Sequence, residues 1–246
     1  MFRFLVNLYL TDNCNYKCAH CLHDSKAGRK DMTLEEIGFA SKIIMGLVKT
    51  KNFQLTNVGL TGGEPTLHPM FYEIVRGLEA VKLHLFTNGS VKLDPDKLSS
   101  EKPFHSIKIT TERNHLNQKP LKKLELTNLM QFTPQLELYR QKWGAIRDKG
   151  RGTQLVKEGG YKKVEHTACL YETFAQTHDA ISLNFAPGHI RFCSENSVEN
   201  LDGPNFTTYD EKYLKDPTLL VSEWWAFRAM HAGERCANHC NNYIET

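Results

Sequence analysis

The sequence predicts an α/β fold, in which a parallel sheet forms an incomplete (β/α) barrel joined to a small C-terminal α+β domain. β-rich and helical patterns alternate over residues 4–140, and polar or glycine-rich turns follow one strand after another. About 150 residues are too few for the eight β-α units of a closed barrel, so we expect a barrel open on one side. Further cysteines occur late in the chain, and we predict two domains, which comprise residues 1–153 and 154–246.

The first strand and the first helix have the clearest signals. Residues 4–10 are rich in β-forming side chains and end in the polar run 11–13. Thr33, followed three residues later by Glu36, forms a capping box that predicts a helix to about residue 48. The predicted buried face of this helix consists of Ile37, Ala40, Ile43, Ile44 and Leu47.

The later elements continue the alternation. We predict strands at residues 55–60, 82–86, 105–110 and 135–139, with helical segments near 69–80, 94–99 and 120–130. After a basic loop at 147–152, residues 181–185 and 190–192 form a predicted hairpin that turns at Pro187 and Gly188. A last helix is expected near 222–231. Because parallel strands end at one edge of a sheet, the turns that follow them should lie together there.

The composition is that of a soluble globular chain, with 40% apolar and 24% charged residues. No apolar run approaches the roughly 20 residues that cross a membrane. Residues 1–6 lack the long apolar core of a signal peptide. We therefore expect a cytoplasmic protein, without a membrane partner, whose seven cysteines are ligands rather than disulfides.

The net charge is only +3, but it is unevenly distributed. Residues 102–163 contain 14 basic and 5 acidic side chains. Such an excess can attract a phosphate, a carboxylate or an acidic peptide, and a solvated basic face explains it equally well. No nucleic-acid-binding motif accompanies the charge, so no nucleic-acid partner is expected.

Three cysteines follow the first strand in a C-x3-C-x2-C pattern, at Cys14, Cys18 and Cys21. Thiolates this close in sequence can point at one centre, and soft sulfur ligands suit zinc or an iron–sulfur cluster. A zinc site would take a fourth ligand from His20 or His23. A four-iron cluster on three cysteines would keep one iron open for chemistry.

Two more motifs lie at the expected edge of the sheet. Gly62-Gly63-Glu64-Pro65 follows the second strand, and Thr87-Asn88-Gly89 follows the third. With the cysteine spacing, these motifs resemble the radical S-adenosylmethionine (radical SAM) superfamily over residues 4–140. The resemblance implies a partial (β/α)6-type barrel and reductive cleavage of SAM to methionine and a 5′-deoxyadenosyl radical. It also implies an electron donor of the flavodoxin or ferredoxin type.

The resemblance further implies roles for individual residues. The three cysteines would hold a [4Fe–4S] cluster whose open iron binds the amino and carboxylate groups of SAM. The carbonyls of Gly62 and Gly63, with Glu64 nearby, would accept hydrogen bonds from the SAM ammonium, and His20 would pack against the adenine. The other implied cofactor-binding residues are Pro65, Asn88, Thr110 and Arg140.

The late cysteines resemble a second cluster module. Gly188-x4-Cys193, preceded by Cys169, is similar to the opening of the SPASM and twitch modules. The tryptophan-rich segment 222–228 and Cys236-x3-Cys240 resemble the close of the shorter, twitch form. The resemblance implies an auxiliary [4Fe–4S] cluster on these four cysteines. A structural zinc on the same residues, or buried thiols without a metal, are the alternatives.

Further site residues and the reaction complete the hypothesis. Arg140, Arg147 and Arg151 lie where twitch-type relatives place contacts to substrate or SAM, and Arg151 and Glu112 are the candidate catalytic residues.

The leading hypothesis is hydrogen abstraction from a small polar or anionic metabolite, with net oxidation and an auxiliary cluster that accepts the electron. The alternative is modification of a ribosomally made peptide. A non-catalytic zinc- or cluster-binding protein is the third hypothesis.

Overall fold

The computed structural model describes residues 1–18, 21, 25, 27–78, 81–98, 103–110, 128–139, 145–146, 162–163, 180–192 and 206–230. Its first five strands lie side by side and run parallel in chain order. They are β1 (Phe2–Thr11), β2 (Phe53–Gly62), β3 (Leu83–Thr87), β4 (Ser106–Thr110) and β5 (Leu136–Tyr139). The open parallel sheet predicted from the alternating pattern is thereby confirmed.

The second half of the chain extends this sheet from the other side of β1. After the two-residue strands β6 (Ala145–Ile146) and β7 (Lys162–Lys163), which pair with each other, β8 (Ala180–Ala186) pairs parallel to β1. The antiparallel strands β9 (His189–Arg191) and β10 (Phe206–Thr207) complete the order β10-β9-β8-β1-β2-β3-β4-β5. The predicted hairpin is confirmed, and it adjoins the first strand. A separate domain at 154–246 stays a prediction.

The helices have the expected caps and faces. Helix α1 (Leu34–Lys49) begins at the N-cap Thr33, which forms both hydrogen bonds of the capping box with Glu36, and all five predicted residues of its apolar face are buried. Helix α2 (Phe71–Gly77) lies between β2 and β3. Helices α3 (Glu211–Lys215) and α4 (Thr218–Met230) follow the hairpin. None of the helices in the described ranges is long and apolar enough to span a membrane.

Three predicted helices differ from the structure or lie partly outside the described residues. The predicted helix at 94–99 is a single 3-10 turn, Pro95–Lys97, because Asp94 caps it and the chain becomes extended again at Leu98. Of the predicted helix at 120–130, only residues 128–130 are described, and they are helical. The helix predicted at 69–80 begins two residues late, at Phe71.

The two faces of the sheet differ in character. On the face toward the helices, alternate residues of the parallel strands are fully buried, and they form one hydrophobic core with α1, α2 and α4. This set includes Phe4, Val6, Leu8, Leu10, Val58, Leu60, Leu83, Leu85, Ile107 and Ile109. The opposite face carries Asn7, His84, Phe86 and Lys108, whose side chains are only partly buried or are exposed. We call it the open face.

Candidate active site

Three turns meet at the carboxyl edge of the sheet. The cysteine loop follows β1, the Gly-Gly-Glu-Pro turn follows β2, and Thr87-Asn88 ends β3. Thr11 at the end of β1 is the sheet partner of Gly62 at the end of β2. The alignment predicted for these motifs is therefore present in the structure, and this edge is the usual position of the site in open α/β folds.

The cysteine loop is closed at its base. Asp31 pairs with Thr11 across the two ends of the loop, and the Thr11 hydroxyl donates a hydrogen bond to the Asp31 carboxylate. The Asn13 side chain donates to the same carboxylate over 2.8 Å and accepts from the Arg29 backbone N–H over 2.8 Å. These bonds fix residues 12–13 and 29–31, so that the segment carrying the cysteines leaves and re-enters the fold at one point.

The three cysteines have the chemistry of cluster ligands. Cys14, Cys18 and Cys21 are partly exposed thiols that form no disulfide. The Tyr16 backbone N–H donates to the Cys14 sulfur over 3.4 Å, and the Cys21 N–H closes a turn onto the Cys18 carbonyl. Within the described ranges, no three potential ligands are already gathered around a metal-sized space. The soft, accessible donor set and the turn that holds it fit an iron–sulfur cluster.

The two glycines of the second motif are required by close packing against the cysteine loop. Gly62 has φ +130°, and a Cβ there would lie 2.3 Å from the Thr11 carbonyl oxygen. A Cβ on Gly63 would lie 2.1 Å from the Asn13 carbonyl oxygen. Gly63 and Glu64 donate backbone hydrogen bonds to those same two carbonyls over 2.7 and 2.8 Å. The motif is thus hydrogen-bonded directly to the start of the cysteine loop.

The Glu64 side chain connects this turn to the end of β3. It is fully buried, and its Oε1 accepts from the hydroxyls of Thr66 (2.6 Å) and Thr87 (2.8 Å) and from the Thr66 N–H (3.2 Å). Its Oε2 accepts from the Asn88 N–H over 2.7 Å. Burial raises the pKa of Glu64, and the hydrogen bonds from Thr66, Asn88 and Thr87 oppose that shift. The carboxylate holds Thr87-Asn88 against the Gly-Gly-Glu-Pro turn.

Pro65 and Asn88 complete the described part of the predicted site. Pro65 is buried and begins the 3-10 turn Pro65–Leu67, where the absence of an N–H costs nothing. The Asn88 amide nitrogen lies 3.9 Å from the Cys14 sulfur and donates to the Asn15 side chain over 3.1 Å. Asn88 therefore links the end of β3 to the cysteine loop.

A buried charged network on the hairpin was not anticipated from the sequence. Arg191 in β9 is completely buried, with its guanidinium 4.8 Å from the Tyr9 ring and 3.9 Å from the Asp12 carboxylate. Its Nε donates to His189 Nε2 over 2.8 Å, and His189 Nδ1 donates to the Pro187 carbonyl. Burial, together with Arg191, lowers the pKa of His189 to about 4, so this imidazole is neutral at physiological pH.

The signal that could have found Arg191 is its strand alternation. It lies between the buried Ile190 and Phe192, so its side chain had to point to the other face of the hairpin. Sequence alone does not show that this face meets Tyr9 and Asp12, because the pairing of β8 with β1 is a contact between distant parts of the chain.

The remaining predicted site residues cannot be placed. Thr110 ends β4 opposite Tyr139, but its side chain lies outside the described set. The other residues also lie outside the described ranges, so their roles stay predictions. These are His20, Glu112, Arg140, Arg151, Cys169, Cys193, Cys236 and Cys240.

The chain belongs to the Radical SAM superfamily, whose family profile matches residues 8–152, more than half of the sequence. This superfamily uses S-adenosylmethionine and a [4Fe–4S] cluster, and the protein is accordingly an enzyme of the radical SAM class. The match spans β1 to β6, which includes all three edge turns.

Among individual relatives, the chain is 34% identical over 100 residues to the S-adenosylmethionine-dependent nucleotide dehydratase of Selenomonas ruminantium. That match covers 40% of this chain and 34% of the relative. It is 26% identical over 227 residues to the GTP 3′,8-cyclase of Listeria welshimeri, covering 87% of this chain and 60% of the relative. The matched regions therefore span about one third to three fifths of these curated relatives.

Among solved structures, the fold is similar to that of BtrN in complex with AdoMet and 2-DOIA, with a TM-score of 0.55 and 12% identity. The superposition covers 96% of this chain and 89% of that chain. At this identity the likeness concerns the fold alone, and it extends over both halves of the sequence.

Proposed function

We propose that the protein is a radical SAM enzyme that abstracts hydrogen from a small polar substrate. In this proposal Cys14, Cys18 and Cys21 hold the [4Fe–4S] cluster, which supplies the electron that cleaves SAM to a 5′-deoxyadenosyl radical. The Gly62–Glu64 turn lies directly beside the base of the cysteine loop, where it can present backbone groups to the amino end of SAM.

One observation carries this proposal: three separate edge turns are hydrogen-bonded into one unit. The Gly63 N–H reaches the Thr11 carbonyl, and Asn88 approaches within 3.9 Å of the Cys14 sulfur. Glu64 connects the second and third turns through its buried carboxylate. Such pre-organisation keeps the groups around a reactive centre in fixed positions.

We further propose net oxidation with an auxiliary [4Fe–4S] cluster on Cys169, Cys193, Cys236 and Cys240 as the electron acceptor. Loss of one hydrogen atom leaves the substrate as a radical, and loss of a further electron and a proton then gives a two-electron oxidation product. Support comes from the motif resemblance and from the predicted hairpin, which the structure contains immediately before Cys193. Arg140, Arg151 and Glu112 are the proposed substrate- or SAM-contacting groups.

For the substrate we propose an anionic small molecule of the nucleotide type. The dehydratase and the cyclase that the chain resembles act, by their names, on a nucleotide and on GTP. The excess of basic residues at 102–163 suits a phosphorylated molecule. A peptide is the alternative substrate, and binding measurements with a nucleotide and with an acidic peptide distinguish the two.

Metal analysis and SAM cleavage test the proposal. Anaerobically reconstituted protein should contain about eight irons per chain if it holds two cubane clusters, and should form 5′-deoxyadenosine with dithionite. About four irons would remove the auxiliary cluster from the proposal, and no iron would overturn it entirely. Cys14→Ala should abolish SAM cleavage, whereas Lys17→Ala, an exposed position in the same loop, should preserve it. SAM cleavage by Cys14→Ala would show that the first cluster is assigned to the wrong residues.

A further inference from the structure

An aromatic ring is exposed on the open face of the sheet, beside the candidate site. Phe86 is 39% exposed, although both of its neighbours in β3, Leu85 and Thr87, are buried. Its ring lies over the backbone of β2 at Gly59, where an added Cβ would be 3.1 Å from Phe86 Cε2. A glycine inside a strand often marks a close approach, and here Gly59 provides the space for this ring.

Two polar groups flank the ring. Lys108 is the β4 partner of Phe86, and its Nζ lies 5.7 Å from the ring centroid. Toward β1, Asn7 Oδ1 lies 2.7 Å from the position that a Cβ on Gly59 would occupy, and the Asn7 amide nitrogen donates to Asn184 Oδ1 over 2.8 Å. A cation, a partly exposed aromatic ring and a hydrogen-bonded amide thus lie on one face of the sheet, within the four neighbouring strands β1 to β4.

The position of this surface relates it to the reaction. Phe86 directly precedes Thr87 and Asn88, which the Glu64 carboxylate holds in place. The Asn88 side chain in turn lies 3.9 Å from the Cys14 sulfur. Consecutive Cα atoms are only about 3.8 Å apart, and Phe86 lies two residues before Asn88. The exposed ring is therefore close to the cysteine loop that Asn88 contacts.

We propose that Phe86 and Lys108 form a substrate-binding subsite, in which the Phe86 ring stacks on a flat ring of the substrate and the Lys108 ammonium pairs with its anionic group. This inference rests on the proposed function and specifies which described residues recognise a nucleotide-type substrate. Base–aromatic stacking is tolerant of base identity, and an ammonium serves as a point charge for phosphate.

Binding measurements on the reconstituted protein test the subsite. The probes are CTP and GTP, the nucleoside cytidine, inorganic triphosphate and an acidic peptide, each titrated by calorimetry. Phe86→Ala should weaken CTP and GTP binding by roughly 5-fold to 150-fold. Lys108→Gln should weaken binding of the nucleotides and of triphosphate while cytidine binding changes little. Phe86→Tyr keeps the ring and should restore binding, which separates stacking from a general loss of structure.

Two matched controls use the opposite end of the same sheet. Phe2 is 51% exposed at the amino end of β1, and Lys82 is exposed just before β3. Phe2→Ala and Lys82→Gln should leave nucleotide binding unchanged. The subsite is refuted if inorganic triphosphate binds as tightly as the nucleotides, if neither nucleotide binds the wild-type protein, or if only the acidic peptide does.

Substrate-independent SAM cleavage distinguishes this inference from the function on which it rests. Iron content and substrate-independent formation of 5′-deoxyadenosine are measured on every variant, so that loss of the cluster is not mistaken for loss of nucleotide binding. Loss of nucleotide binding with intact SAM cleavage supports the subsite. Absence of SAM cleavage in the wild-type protein would overturn the proposed function, whatever the binding data show.

Discussion

The buried Glu64 carboxylate gives the sharpest prediction about the site. Its two oxygens accept four hydrogen bonds from Thr66, Thr87 and Asn88. Glu64→Gln preserves the shape, and its amide oxygen can still accept the three bonds at the Oε1 position. Its NH2 group must then face the Asn88 N–H, so two donors oppose each other. The variant tests whether this carboxylate holds the edge turns together.

The expected loss of stability follows from those bonds. A buried N–H left without an acceptor costs about 1–3 kcal/mol, and bonds to a neutral amide are weaker than bonds to a carboxylate. We expect a total loss of about 2–4 kcal/mol in the free energy of unfolding. With m about 2–3 kcal/mol/M, the urea midpoint should fall by roughly 1 M. The measurement is urea unfolding of the metal-free protein under anaerobic conditions, followed by circular dichroism.

The control is Glu73→Gln, which removes an exposed carboxylate that pairs with Arg76 on α2. Exposed pairs contribute little, so this midpoint should stay within about 0.3 M of the wild type. If Glu64→Gln unfolds at the same urea concentration as the wild type, the carboxylate does not hold the two turns together, and the argument built on it fails.

The pH dependence of stability provides a second measurement on Glu64. Burial raises its folded-state pKa above the ordinary value of 4.5, so the folded chain binds this proton more tightly than the unfolded chain does. The resulting contribution is fully present below about pH 4.5 and is lost as the pH rises through the folded pKa. Glu64→Gln should abolish this decline. If the free energy of unfolding of the variant falls with pH as steeply as that of the wild type, the decline is caused by groups other than Glu64.

Two more predictions concern the neighbours of the cysteine loop. Gly63→Ala places a Cβ 2.1 Å from the Asn13 carbonyl oxygen, so the base of the cysteine loop must shift. Iron incorporation into this variant should therefore fall severalfold. The control Gly77→Ala has open space for its Cβ and should incorporate iron normally. Arg191→Met leaves the Asp12 carboxylate buried without the Arg191 cation, so the free energy of unfolding measured in urea should fall by about 3 kcal/mol. A loss below about 1 kcal/mol would show that Arg191 and Asp12 are not energetically coupled.

Local patterns were sufficient to predict most of the fold. The capping box at Thr33 and the apolar face of α1 depend on spacings of three and four residues, and both are present. The strands differ from their predicted bounds by one or two residues, because end residues pair without a distinct side-chain signature. The turn at Pro187 and Gly188 likewise follows from residue type, with Gly188 at φ +80°.

Long-range pairing explains what the sequence did not predict. Nothing in residues 180–186 specifies that this strand lies beside β1 rather than in a sheet of its own. The register of that pairing places Asn184 opposite Asn7 and brings the neighbouring β9 close enough for Arg191 to reach Asp12. Charged side chains are almost never fully buried without a partner, so the burial of Arg191 depends on a contact that only the folded structure shows.

The Gly-Gly-Glu-Pro turn also has structural roles that cofactor binding alone would not require. Gly62 and Gly63 have no room for a Cβ because the carbonyls of Thr11 and Asn13 occupy that space. Glu64 directs both carboxylate oxygens toward the ends of β2 and β3. Phe86 directly precedes Thr87 and Asn88, which Glu64 holds in place. A substitution in this turn should therefore alter the positions of both the cysteine loop and the proposed substrate-binding surface. The motif therefore connects the place where the radical would form to the place where the substrate would bind.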